Sequence, residues 1–155
     1  MTTSLWNAKI KKLSYQEGNR TCADCNNPYS QWVSINIGCF LCLRCAGVHR
    51  SIGAHITKIR SITLDNWTGQ QYNFLRQLGN VKVNSIYEAT VPKKIKPTTK
   101  TGDAPLKKYI EDKYMHKYFY RKPLCTPSTI PEPVIKPTEV SLIDLSTEDT
   151  TGSFF

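Results

Sequence analysis

Cys22-Ala-Asp-Cys25, sixteen intervening residues and then Cys42-Leu-Arg-Cys45 place four thiols in two Cys-x2-Cys knuckles. A gap of two residues lets both sulfurs of a knuckle turn toward one ion, and two knuckles at this separation close one tetrahedral zinc site. Four thiolates fill every coordination position, so such a metal has no room for a water or a substrate and is structural. Zinc binding and folding are then one event. Cys39 precedes Cys42 by the same spacing, but it lies in the apolar run Ile37-Gly38-Cys39-Phe40-Leu41 and reads as a buried, hydrophobe-like thiol. The competing reading is two unrelated redox or buried cysteine pairs.

Short elements must bring these sulfurs together. Trp6, Ile10 and Leu13 recur at helical spacing, and Gly18 stops the helix ahead of the first knuckle. Trp32 to Asn36 alternates like a strand, Gly38 marks a turn, and Phe40-Leu41 leads into the second knuckle. Residues 43–50 form a short helix ending near Gly53, and Ser61 to Leu64 read as a further strand. Thr68 caps a helix that carries Phe74, Leu75 and Leu78 and stops at Gly79; Val83, Ile86 and Tyr87 support another before Pro92. A Pro/Lys/Thr linker follows. Asp103, with Pro105 in the first turn, then opens a last helix whose Leu106, Tyr109, Ile110, Tyr114 and Tyr118 share one face. The fold class this predicts is α+β, a treble-clef-like four-cysteine zinc finger with a short central sheet surrounded by helices. It occupies residues 1–122. Residues 123–155, with several prolines and few aromatics, are expected to be a disordered acidic tail.

The chain has 155 residues and a net charge of +9, unevenly spread. Residues 1–90 carry ten Lys/Arg against four Asp/Glu, residues 91–122 ten against three, and residues 123–155 one against five. A basic body with an acidic tail suits nucleic acid, an anionic membrane or an acidic protein, and does not choose among them. Neither a signal peptide nor a membrane span is expected from the hydropathy pattern. With four of six cysteines assigned to the metal, Cys39 and Cys125 fit a reducing compartment better than a disulfide framework. The carboxylates of residues 1–90, Glu17, Asp24, Asp65 and Glu88, are scattered with no acid/base spacing, and no nucleophile-base constellation is visible.

The segments Gly18 to Cys25, Trp32 to Gly38, Cys42 to Ser61 and Leu64 to Trp67 resemble, in order, the successive motifs of the Arf GTPase-activating protein (ArfGAP) family, over residues 5–120. Gly79-Asn80, the Val83 to Ala89 stretch and Tyr109 to Tyr114 are similar to its stromal membrane-associated branch. The resemblance implies a protein that stimulates GTP hydrolysis by an Arf-family GTPase in its GTP form, regulates vesicle trafficking, and works in the cytoplasm with transient recruitment to Golgi or endosomal membranes. It implies that Arg50 is an arginine finger supplied in trans, and that Trp32, Ile52 and Lys58 lie near the GTPase-facing surface. Such an activator is not itself an enzyme.

Bland readings stand beside these. From spacing alone Arg50 reads as a solvent-facing arginine complementing a helix dipole, and Trp32 equally as core. With the four-sulfur site complete, His49 and His55 read as hydrogen-bonded scaffold residues, and Asp65 as a local turn or cap. Lys93, Lys94, Lys96, Lys107, Lys108, Lys113, Lys117, Arg121 and Lys122 form either a face for an anionic membrane or a merely solvated one. Leu142-Ile143-Asp144-Leu145 resembles a clathrin-box peptide, with Ser146 where an acidic residue is usual. A GATA-like DNA-binding finger is the rival class, yet the helix after the second knuckle offers only Arg44 and Arg50, so no specific nucleic acid is expected. A non-catalytic adaptor for Arf-GTP would share the fold but lack Arg50.

Overall fold

Cys42 ends a strand and begins a helix within one residue. Its backbone is extended (φ −81°, ψ 170°) and its sulfur caps the helix by accepting a hydrogen bond from the Cys45 amide at 3.4 Å. The computed structural model describes residues 3–122. In chain order these form α1 (Thr3–Ser14), β1 (Trp32–Ser34), β2 (Cys39–Leu41), α2 (Leu43–Ile52), β3 (Ile59–Ser61), α3 (Gly69–Gln77), α4 (Gly79–Tyr87), a 3-10 turn at Lys93–Ile95, and α5 (Asp103–Ile110), which runs into a π-helical turn over Glu111–Met115. No helix among the described residues is long and apolar enough to cross a membrane.

The sheet is antiparallel with order β2-β1-β3, pairing Val33 with Phe40 on one side and with Arg60 on the other. Side chains alternate across it. Val33 and Phe40 join Ile10, Leu13, Ile62, Trp67 and Leu75 in one buried cluster under α1 and α3. Cys39 and Leu41 face the opposite way and join the four knuckle cysteines, Ile52, Val83, Leu106, Tyr109, Ile110 and Tyr114. The four knuckle sulfurs are thus embedded in one half of the core.

Asn80 clasps the segments that precede the knuckles. Its Oδ1 accepts from the Phe40 amide at 2.6 Å, while its Nδ2 faces the carbonyls of Gly18, Thr21 and Phe40 at 3.0, 2.7 and 3.2 Å. Arg44 similarly ties the start of α2 to the linker, donating to the Thr101 carbonyl and to Asp103 Oδ1.

The structure departs from the sequence reading at three places. The third strand lies at Ile59–Ser61 and not at 61–64, because Ser61 Oγ accepts from the amides of Thr63 and Leu64, and Asp65 Oδ2 accepts from the Ser61 amide at 2.7 Å. These local bonds turn the chain away from the ladder and leave Leu64 79% exposed. Gly79, read as a stop, has φ +83° and serves as the hinge at which α4 begins directly after α3. The last helix widens after Ile110: the His116 amide donates to Glu111 O, five residues back, and while Tyr114 is buried as expected, Tyr118 is left 65% exposed, off the shared face expected for it. The expected tail lies outside the described residues.

Candidate metal centre and the surface beside it

The four knuckle sulfurs lie within 4.8 Å of one another, and Cys25 Sγ stands 3.7 Å from Cys42 Sγ. An ion holding four sulfurs at about 2.3 Å separates them by about 3.8 Å, so the donor set fits a tetrahedral metal. Each knuckle brings one amide to a sulfur, from Asp24 to Cys22 and from Cys45 to Cys42, both at 3.4 Å. All four residues are buried. Such a site holds the fold and does not meet a substrate. Cys39 is buried apart from the cluster, against the Tyr114 hydroxyl, and burial pushes its thiol up to about 12.

Behind the first knuckle lies a buried charge network that sequence reasoning missed. Lys113 is fully buried, and its ammonium donates to Asp24 Oδ1 (2.8 Å), Glu88 Oε2 (2.7 Å), Asn84 Oδ1 (2.8 Å) and the Ala23 carbonyl (3.2 Å). Asp24 also accepts from the Tyr114 hydroxyl, and Glu88 from Tyr109 and Lys96. Burial disfavours the Asp24 carboxylate, but Lys113 and the His49 hydrogen bond outweigh it and hold the group well below the usual carboxylate range. Burial likewise opposes the Lys113 charge, and Asp24 and Glu88 restore it, so this amine titrates above an ordinary lysine. Lys113 and Lys96 therefore do not belong to a solvent-facing basic face. A sequence signal for Lys113 did exist: it falls on the stripe of Leu106, Tyr109, Ile110 and Tyr114, where a surface lysine has no place.

From Asp24 the hydrogen bonds continue into α2. His49 Nε2 donates to Asp24 Oδ2 at 2.8 Å; its Nδ1 meets Thr57 Oγ1 at 2.9 Å, and Thr57 Oγ1 meets Ser34 Oγ at 2.7 Å. Ser34 in turn donates to Asn36 Oδ1, which also accepts from the Lys58 amide. His49 is the scaffold histidine expected. His55 is not: it is exposed and makes no side-chain hydrogen bond among the described residues.

Arg50 follows His49 in the last turn of α2. It is exposed, its guanidinium lies over the Trp32 ring at 4.7 Å, and it has no ion-pair partner among the described residues. Trp32 is half-buried, with one part against the core and another under Arg50. Lys58 is exposed just ahead of β3, whereas Ile52 is only 8% exposed and packs in the core cluster with the sulfurs. Leu142, Ile143, Asp144 and Leu145 lie outside the described residues.

Known proteins resemble this chain in sequence and in fold. Residues 7–123 match the ArfGap family, described as a GTPase activating protein for Arf. Stromal membrane-associated protein 1 of Homo sapiens is 41% identical over 114 residues, covering 73% of this chain and 24% of that protein. ADP-ribosylation factor GTPase-activating protein AGD12 of Arabidopsis thaliana is 42% identical over 118 residues, covering 75% of this chain and 35% of its own. This chain thus spans about a quarter to a third of the length of these relatives. Among solved structures, the ArfGap domain of human RIP superposes with a TM-score of 0.68 at 24% identity, over 79% of this chain and 94% of that one, which shows a shared fold. With the family match spanning most of the sequence and the fold and cysteine cluster in agreement, the chain belongs to the ArfGap family.

Proposed function

We propose that this protein stimulates GTP hydrolysis by a GTP-bound Arf-family GTPase, with Arg50 inserted in trans beside the transferred phosphoryl group and one structural zinc held by Cys22, Cys25, Cys42 and Cys45. The observation that carries this reading is Arg50 itself: an exposed guanidinium with no counter-ion among the described residues, on a helix that starts at a metal ligand, backed by an aromatic ring. Charge spreads over the phosphoryl oxygens as GTP is cleaved, and a guanidinium supplied by a partner accelerates that step by about 10³ to 10⁵ in comparable systems. No acid, base or nucleophile is required of the activator, since the GTPase holds the nucleotide, the magnesium and the water-orienting Gln. Trp32 and Lys58 belong to the same GTPase-facing surface, with Ile52 supporting it from beneath. Zinc is the metal that suits four thiolates in a sealed tetrahedral cage.

The remaining exposed cations of the expected basic face, Lys93, Lys94, Lys107, Lys108, Lys117, Arg121 and Lys122, suit an anionic membrane surface on which such a GTPase works, at Golgi or endosomal membranes in vesicle traffic. Leu142 to Leu145 is a candidate clathrin contact. Nucleic acid is expected to bind only weakly and without sequence preference.

Single-turnover GTP hydrolysis on Arf at saturating activator tests the central claim. Arg50→Ala removes the guanidinium and Arg50→Lys keeps a charge without the planar fork, so both should lower the stimulated rate by at least about 10²-fold. Zinc content and melting should match the parent, because the side chain lies outside the cage. A Lys variant of nearly full activity would overturn the arginine-finger mechanism. A variant that only weakens binding of the GTPase would reassign Arg50 to affinity.

A further inference from the structure

The hydrogen-bonded row that leaves Lys113 does not end in the core. It reaches, in turn, each element that carries a residue of the Arg50 surface. His49, pinned at both ring nitrogens by Asp24 and Thr57, is the immediate neighbour of Arg50 on α2. Consecutive helical residues stand about 100° apart around the axis, so a fixed inward ring sets the outward direction of Arg50. Ser34, bonded to Thr57, lies on β1 two residues after Trp32, the ring on which Arg50 rests. Asn36 accepts from the Lys58 amide and donates to the Ile56 carbonyl, holding the loop ahead of β3. At the other end the row is anchored by Lys113, from the π-helical turn that follows α5.

Stability alone does not account for such a device, since buried ion pairs are often replaceable by apolar residues of similar volume without loss. Directional bonds supply something apolar packing does not, a single azimuth and register for the elements they join. We infer that Asp24, His49, Thr57 and Lys113 are positioning residues for the Arg50 surface: they lock α2, β1 and the loop before β3 against one another, so that Arg50, Trp32 and Lys58 meet a partner as one rigid constellation. This rests on the reading of Arg50 as the group that acts on the GTPase.

Thr57 is the link to cut, because Thr57→Val keeps the volume and removes the hydroxyl that joins His49 to Ser34, while Thr57→Ser keeps the hydroxyl. In single-turnover hydrolysis, zinc-loaded Thr57→Val should lose about tenfold in maximal stimulated rate with an unchanged half-saturating concentration, and Thr57→Ser should retain the parental rate. The Arg50 Nε–H and Trp32 indole resonances should move in Thr57→Val and stay in place in Thr57→Ser. Lys113→Met, provided that it folds, should behave as Thr57→Val does; the Thr57 pair decides the matter where it does not fold. A folded Thr57→Val protein with the parental maximal rate, or with unmoved resonances, overturns the inference. A parent that fails to stimulate hydrolysis would sink the proposed function instead, and the resonances alone would then decide whether the row holds the surface.

Discussion

Thiol chemistry depends on the thiolate fraction, and burial that lifts Cys39 to about 12 leaves it almost none at neutral pH. In the metal-loaded protein Cys39 should therefore resist iodoacetamide over hours, as read by mass spectrometry of its peptide, and Cys39→Ser should fold with its metal. Cys22→Ser should do neither, because it opens a cage whose metal contributes about 10 kcal/mol or more to folding in comparable sites. Elemental analysis with circular dichroism checks the pair; a zinc-replete Cys22→Ser protein with native spectra would remove the ligand assignment. The ligands were legible in sequence because residue type and local spacing define a knuckle. The pairing of Asp24 with Lys113 was not, since it joins positions 89 residues apart and only the fold brings them together.

At the level of elements, signals confined to a few residues were read well and those that depend on a partner strand were not. Thr68 was expected to cap a helix, and in α3 it does so as a capping box: its side chain accepts from the Gln71 amide, and Gln71 Oε1 accepts from the Thr68 amide at 3.1 Å. Thr68→Ala should lower stability by about 1 kcal/mol in urea unfolding. Stimulated hydrolysis should not change, because α3 packs with α1 in the cluster across the sheet from α2. A large loss of activity without loss of stability would show that α3 touches the partner. The strand at 59–61 was misread by two residues because strands this short have no periodicity to follow, and the Ser61 and Asp65 turn bonds that end it are local competitors of the ladder. The π-helical turn was likewise invisible: the apolar stripe already places Lys113 and Tyr114 on the inner face, but the widened hydrogen bonding that follows depends on their bonds to Asp24, which no local pattern announces.

The described residues form two buried clusters on either side of a sheet whose strands are each three residues long. Strands of that length do not stand alone, so the metal and the helices must hold the sheet. Truncation after Ile110 would remove Lys113 and Tyr114 and leave Asp24 and Glu88 without the buried ammonium between them; breaking a buried pair in this way costs about 3 to 5 kcal/mol. Such a fragment should bind zinc yet lose cooperative unfolding and dispersed amide resonances. A fragment that melts like the parent would mean that the π-helical turn is ornamental. The position of Lys113 also orders events on the ribosome. The sulfur cage is complete once Cys45 has been made, whereas the cation that neutralises the core emerges only after β3, α3, α4 and α5. Metal capture can thus precede closure, and a nascent chain stalled just after Glu88 would carry its metal with two carboxylates still seeking water.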